Sequence, residues 1–206
     1  MLVVAQPALG ALAEIKKGIL PKDYPDLDTR RVQINLIQSG DRILKEMSEK
    51  ASKKAEDFLE NLGVQVWKNV RVKSYDGKLV STETELSFEA ATLIWAAGVK
   101  GAAIKGLDAK ELLIRGNRVR VNEFNQVIGF NEIFAVGDIA GMESEEFPCG
   151  HPMMAQPAIQ QGRNLGENLV KLLQQKPMQP FIYKDKGSMA TVGRNKAVVD
   201  LKNFKF

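Results

Sequence analysis

Ile133-Phe134-Ala135-Val136-Gly137-Asp138-Ile139-Ala140 decides how this chain is read. Its four apolar residues predict a short buried strand that meets Gly137-Asp138. In open α/β folds, ligands bind outside the carboxyl ends of such strands. Gly137 lets the backbone approach a ligand closely. Asp138 offers a carboxylate to sugar or ribityl hydroxyls. The same octapeptide reads equally well as a strand-to-loop turn with a solvated aspartate.

Downstream, Gly141 to Pro152 is predicted as a loop and Met153 to Gln175 as a long helix. Ala155, Ala158, Ile159, Leu165, Leu169 and Leu172 fall on or near one side of it. Within it lies Ala155-Gln156-Pro157-Ala158-Ile159-Gln160-Gln161-Gly162. Pro157 suits a first turn, where its missing N–H is harmless. The free amides and helix dipole there favour partial negative charge. Small Ala155 and Ala158 leave room for a flat ring. Gln156 and Gln160, four apart, project alike. By itself this segment reads more simply as an amphipathic helix with outward glutamines. Residues 187–193 and 197–201 suggest a terminal hairpin around Arg194-Asn195-Lys196.

Upstream, a helix end from about Leu9 to Leu20 is stopped by Pro21, and 21–28 should be a loop. Val32 to Gln38 reads as a strand ending at Ser39-Gly40-Asp41. Ser48 precedes a helix from Glu49 to Leu62, closed by Gly63. Short strands follow at 64–67 and 69–73, and Asp76-Gly77 signals a hairpin to 78–82. Thr92 to Ala96 reads as a buried strand ending at Ala97-Gly98. Trp67 and Trp95 read as core residues. A loop with Gly98, Gly101 and Gly106 marks a domain boundary. The predicted class is α/β, with a mostly parallel sheet and an antiparallel excursion.

Composition narrows the function. The chain has 206 residues, 44% hydrophobic and 26% charged, which argues against disorder. Its net charge of +4 is scattered, without the basic stripe of a nucleic-acid binder. One cysteine, Cys149, excludes an internal disulfide or dithiol mechanism, and a reducing compartment is expected. Cys149 and His151 lack a third ligand nearby, so no metal site is expected. No apolar run reaches the ~20 residues of a membrane span. The apolar start lacks the basic region of a signal peptide.

Taken together, the Gly-Asp strand end and the Ala-Gln helix start are more specific. The chain resembles type II NADH dehydrogenase, the single-subunit, FAD-dependent NADH:quinone oxidoreductase of the pyridine nucleotide-disulfide oxidoreductase superfamily. The resemblance runs from about Gly10 to Phe206. It rests on Gly10 to Glu14, Leu36 to Leu44, Leu93 to Val99, Ile133 to Ala140, Ala155 to Gly162 and Gly193 to Ala197. It implies a partial Rossmann-like flavoprotein with two dinucleotide-binding domains. Residues 1–98 would be a remnant of the NADH-binding domain, and 99–206 the C-terminal part of the FAD-binding domain.

The resemblance also implies roles. Gly137 and Asp138 would bind the flavin ribityl or diphosphate region. The backbone at Ala155 and Gln156 would face the isoalloxazine pyrimidine edge, and Gln156 and Gln160 would lie at the quinone side. Ala96, Ala97 and Gly98 would pass close to NADH. Gln38 stands where a Rossmann half usually has an acid for the adenosine ribose; it carries no charge and would tolerate a 2′-phosphate better. No catalytic side chain is implied, because the cofactors carry the organic chemistry. The expected place is the cytoplasmic side, peripheral on the inner face of the cell membrane, held by segments beyond Phe206.

The departures shape the remaining expectations. No Gly-x-Gly-x-x-Gly occurs, whereas the family carries two such loops. Leu2 to Leu9 looks like strand residues joined directly to helix residues, with that loop lost. The chain is therefore expected to be a C-terminal fragment from which FAD and NADH are absent. The alternatives are a non-catalytic folded remnant, or a soluble flavin-dependent reductase with another acceptor. Disulfide reductases and sulfide:quinone oxidoreductases are disfavoured because they need paired cysteines. Apolar surface left open by a missing half would favour a homo-oligomer.

Overall fold

The computed structural model describes residues 2–4, 9–102, 104–201 and 204–205. The predicted strand-to-helix junction at 5–8 lies outside the described residues. The chain forms two compact units: residues up to Ala97 together with those from Gly187 onward, and Gly98–Lys186.

The first unit runs β1 (Leu2–Val4), α1 (Leu9–Gly18), α2 (Leu20–Asp23), β2 (Ile34–Ile37), α3 (Glu49–Asn61) and β3 (Val64–Trp67). It continues through β4 (Val72–Tyr75), β5 (Leu79–Thr82), β6 (Ser87–Glu89) and β7 (Leu93–Trp95). β3, β2, β1 and β7 make a four-stranded parallel sheet in that order. All four β2 residues are buried, as a strand covered on both faces requires. Ile34 and Leu36 pack with Leu9 and Ala13 of α1 and Ala51, Ala55 and Leu59 of α3. Ile37 joins Val70, Val80 and Ala90 in a separate cluster.

Local signals set the boundaries of α3. The Ser48 hydroxyl accepts from Ala51 N at 3.3 Å, an N-cap, and Gly63 takes a left-handed φ of +84° just past the helix. The antiparallel excursion is β4-β5-β6. Its first turn is held by Asp76, whose carboxylate accepts from Lys78 N and Leu79 N. Pro21 does not end in a loop but lies in the first turn of α2, where its fixed φ fits. β7 is less covered than its apolar letters suggest. Among the described residues it pairs only with β1, and Trp95 is 60% exposed rather than core.

The second unit holds β8 (Leu113–Ile114), β9 (Arg118–Val121), β10 (Ala140–Met142) and α4 (Ala155–Leu173). β9 pairs parallel with β10 and antiparallel with β8. Three sequence expectations change here. Residues 133–136 are half-buried and form no strand; Phe134 makes a single bridge to Gln126, and a 3₁₀ turn follows at Gly137–Ile139. The buried strand comes one step later, at Ala140–Met142, running from the end of the octapeptide into the predicted loop. There Gly141 admits Ile114, whose side chain would lie 2.5 Å from an added Cβ.

The helix α4 begins at Ala155 rather than Met153, and its polarity is reversed from the expected one. Gln161 and Asn168 are buried, whereas Ile159, Leu169, Val170 and Leu173 are exposed. Amide side chains on the buried flank grip an extended strap at 179–184. Gln160 bonds Lys184 N and O, and Asn168 bonds Gln179 N and O. Asn168 is satisfied at both ends by Gln179, whereas buried Gln161 uses its Oε1 and leaves Nε2 without a partner among the described residues.

β11 (Ser188–Gly193), β12 (Lys196–Leu201) and β13 (Phe204–Lys205) form the closing antiparallel sheet. It packs on α1 and α3, with Val192 and Val198 in the core of the first unit. Residues 187–206 therefore belong with the first unit, not with 99–186 as the sequence grouped them. The contact is intimate: a Cβ on Gly10 would stand 2.0 Å from the Val192 carbonyl oxygen.

Candidate functional site

In the second unit, the Gly137–Asp138 turn lies against the first half of α4. Gly137 has φ +75°, and a Cβ there would contact Ala158 at 3.4 Å. Its N–H donates to the Gln161 Oε1 at 2.7 Å. Asp138 is exposed. The N-cap of α4, Met154, makes no side-chain cap bond, and among the described residues the N–H groups of Ala155 and Gln156 have no acceptor. Uncapped first-turn amides of a 19-residue helix present a polar, anion-favouring edge.

Arg118 fixes this turn from the other side. It is 5% exposed and donates to the carbonyls of Asp138 at 3.1 Å, Ala140 at 2.5 Å and Cys149 at 3.2 Å. Burial lowers its pKa, and the Asp138 charge opposes that shift. A Cβ on Gly150 would crowd the guanidinium at 2.9 Å, so the Cys149–Gly150 backbone closes over it. His151 lies beside these groups, packed against Phe147, Phe181 and Tyr183 at 4.6–5.5 Å between ring centroids. Its pKa is depressed by burial first and by Arg118 second, against a smaller opposing effect of Glu146.

The predicted residues of this unit are therefore brought together in part. Gly137, Asp138, Ala155 and Gln156 lie along one turn and one helix start. Gln160 does not present a free amide, because both ends of its side chain are taken by Lys184. Sequence reasoning missed Arg118, read only as part of an alternating strand, and the specific role of Gln161. Neither is announced by local pattern, since their partners lie 20 to 31 residues away.

In the first unit, Gln38 follows β2, and Ala96 and Ala97 follow β7, at the carboxyl edge of the parallel sheet. Gln38 and Ala97 line one cavity of about 270 Å³ with Ser39, Arg71 and Trp95. The Gln38 Nε2 donates to the Arg42 carbonyl at 3.1 Å. Gly98, which opens the second unit, has φ +81° and open space where a side chain would stand. Arg71 is the residue missed here. Its side chain is 67% exposed and lies 3.8 Å from Glu83. Among the described residues there is no metal-holding group of three His, Cys, Asp or Glu side chains, and Cys149 is a free, exposed thiol.

A parallel βαβ sheet with an antiparallel insertion in the first unit, and a Gly-Asp turn docked on a helix in the second, define a Rossmann-like α/β protein. The chain belongs to the pyridine nucleotide-disulphide oxidoreductases, whose family model matches residues 11–162. It is 30% identical over 208 residues to the type II NADH:quinone oxidoreductase Ndh of Mycobacterium tuberculosis, covering 96% of this chain and 43% of that protein. It is 28% identical over 181 residues to the type II NADH:quinone oxidoreductase of Haemophilus influenzae, covering 87% and 40%. The fold matches that of NDH2 from Plasmodium falciparum in complex with NADH, with a TM-score of 0.85 at 18% identity. That match covers 100% of this chain and 57% of the other. The chain thus spans about two-fifths of the length of these curated relatives. No helix among the described residues is long and apolar enough to cross a membrane.

Proposed function

We propose that this chain is part of an FAD-dependent NADH:quinone oxidoreductase, with its first unit on the nucleotide side and its second unit on the flavin side. One observation carries the reading: the Gly137–Asp138 turn is seated through Gln161 and Ala158 on the N-terminal half of α4, whose first amides, at Ala155 and Gln156, are unpartnered among the described residues. A glycine turn with an exposed carboxylate suits ribityl or ribose hydroxyls, which donate to it. Uncapped amides suit the polar edge of a flavin and favour negative charge there.

The bound flavin supplies the two-electron chemistry; the protein binds, orients and tunes it. Asp138 would accept hydrogen bonds from the sugar-like chain, and Ala155 and Gln156 would donate from the backbone. Arg118 and Gln161 hold the turn in register without touching the ligand. Gln156 keeps an amide for a carbonyl acceptor on the quinone side. Ala96, Ala97 and Gly98, small and exposed, leave room for a nicotinamide nucleotide. The protein would sit peripherally on the inner face of the cell membrane, a reading that the family resemblance supports, and the exposed Ile159, Leu169, Val170 and Leu173 favour self-association.

The test is direct. The chain is expected to be isolated without FAD and inactive by itself, so it is mixed with excess FAD, desalted, and its visible spectrum recorded; retained flavin bands are the expected result, and turnover with NADH and a soluble quinone is read on a longer form that restores the glycine loops. A protein that stays colourless after loading overturns the flavin reading. Bleaching that only dyes or ferredoxin reverse overturns quinone as the acceptor. Light scattering that gives a clean monomer at high concentration overturns self-association.

A further inference from the structure

A second cavity of the Gly98–Lys186 unit, about 280 Å³, includes none of Gly137, Asp138, Ala155 or Gln156. Its lining carries three carboxylates, Glu123, Glu143 and Glu146, all exposed, and no lysine or arginine. Glu143 lies 3.4 Å from Arg120, but both side chains are well exposed and such a pair contributes little. Glu123 and Glu146 have no cationic partner among the described residues. The wall also holds three rings, Phe147, His151 and Tyr183, packed on one another at 4.6–5.8 Å between centroids.

Three acids alone would make only a solvated surface. A second feature of the same wall points to a ligand. Nδ1 of His151, a residue 6% exposed, and the Tyr183 hydroxyl are shut from solvent and have no partner among the described residues. Buried polar groups are normally paired. Both atoms belong to rings that line the cavity, so a donor lodged there is the partner they lack. Burial and the Arg118 charge depress the His151 pKa, which keeps the imidazole neutral. The ring therefore adds no positive charge and offers an acceptor nitrogen.

We infer that this cavity is a binding site for a small organic cation, a protonated amine with an aromatic or apolar body. Its ammonium would stand among Glu123, Glu143 and Glu146, and its body against Phe147, His151 and Tyr183. An ammonium donates charge-assisted hydrogen bonds to carboxylates and is attracted to ring faces. The volume is at the small end of ligand cavities, which suits one ring and one amine rather than a nucleotide. A metal ion is the poorer occupant, because no three His, Cys, Asp or Glu side chains among the described residues are grouped to hold one. The site stands whether or not the second unit binds flavin.

Amide NMR spectra of the whole chain are recorded during titration with benzylamine, benzyl alcohol and ammonium chloride, at neutral pH and constant ionic strength. Benzylamine is expected to give saturable shifts at 121–123, 142–147 and 181–183. Benzyl alcohol, its neutral counterpart, should bind about tenfold more weakly, and ammonium chloride should not saturate in the same range. Combining Glu123→Gln, Glu143→Gln and Glu146→Gln should lower benzylamine affinity about tenfold and leave benzyl alcohol unchanged. These three side chains are exposed, so the fold is kept, and the spectrum itself reports it. His151→Phe keeps a ring but removes the acceptor, and should weaken benzylamine about threefold. Equal affinity for the amine and the alcohol overturns the cation site. So does an equal response to ammonium chloride, which marks an acidic surface only. Shifts confined to other parts of the chain, or unchanged benzylamine affinity in either variant, overturn it as well.

Discussion

The Gly137 N–H and the Gln161 Oε1 are 2.7 Å apart, and this bond joins the Gly-Asp turn to α4. Gln161 is 1% exposed, so the bond is made out of reach of water. Gln161→Leu keeps the bulk but leaves the amide without an acceptor. A loss of about 1–3 kcal/mol is expected, read as a lower urea midpoint. An unchanged midpoint, with unchanged amide exchange at Gly137, would show that the bond does not hold the turn.

Arg118 makes a stronger claim. Three carbonyls from the 3₁₀ turn, β10 and the following loop converge on one buried guanidinium. Charged donors contribute more per bond than neutral ones, and Arg118→Met orphans all three acceptors. A cost of about 2–4 kcal/mol is expected in equilibrium unfolding. Arg118→Lys should recover little, because one ammonium cannot span three segments. Full recovery by lysine would mean that the charge alone matters and the fork geometry does not.

Gly10 tests the attachment of the closing hairpin. A Cβ on it would meet the Val192 backbone at 2.0–2.4 Å, and backbone cannot rotate aside as a long side chain can. Gly10→Ala raises helix propensity in α1 and would stabilise an open site. Here it should destabilise by more than ~1 kcal/mol, with raised hydrogen exchange in β11 and β12. A more stable variant would show that the hairpin does not sit on α1.

What the letters told depended on how far apart the partners were. The start and end of α3 were legible because Ser48 and Gly63 act within one turn of themselves. The Asp76-Gly77 hairpin was legible for the same reason: Asp76 accepts from residues two and three positions on. β10 was not legible, because Ala140–Met142 becomes a strand only by pairing with β9 about twenty residues earlier. α4 was legible as a helix but not in its orientation. Its apolar letters faced out once Gln160 had found Lys184 and Asn168 had found Gln179. The candidate flavin motifs at 137–138 and 155–162 stood out as motifs, while Arg118 and Gln161, which hold the turn, were set by distant contacts.

His151 gives the unit a pH dependence with a defined sign. Its imidazole is 6% exposed among Phe147, Phe181 and Tyr183, and Nδ1 has no partner there. Burial, then the Arg118 charge, depress its pKa below the usual 6.5, with Glu146 opposing weakly. The unfolded chain therefore binds a proton that the folded chain resists. Stability from this residue is fully present above about pH 6.5 and falls as pH drops from there toward the lower folded value. Unfolding free energies at a series of pH values from 7.5 downward should decline in the wild type. His151→Phe, which keeps an aromatic ring in the cluster, should flatten that part of the curve. Carboxylate titration at lower pH should remain in both proteins, so their difference isolates the imidazole. Parallel curves from pH 7.5 to 5 would show that His151 is charged or solvated in the folded state and that the aromatic cluster does not enclose it.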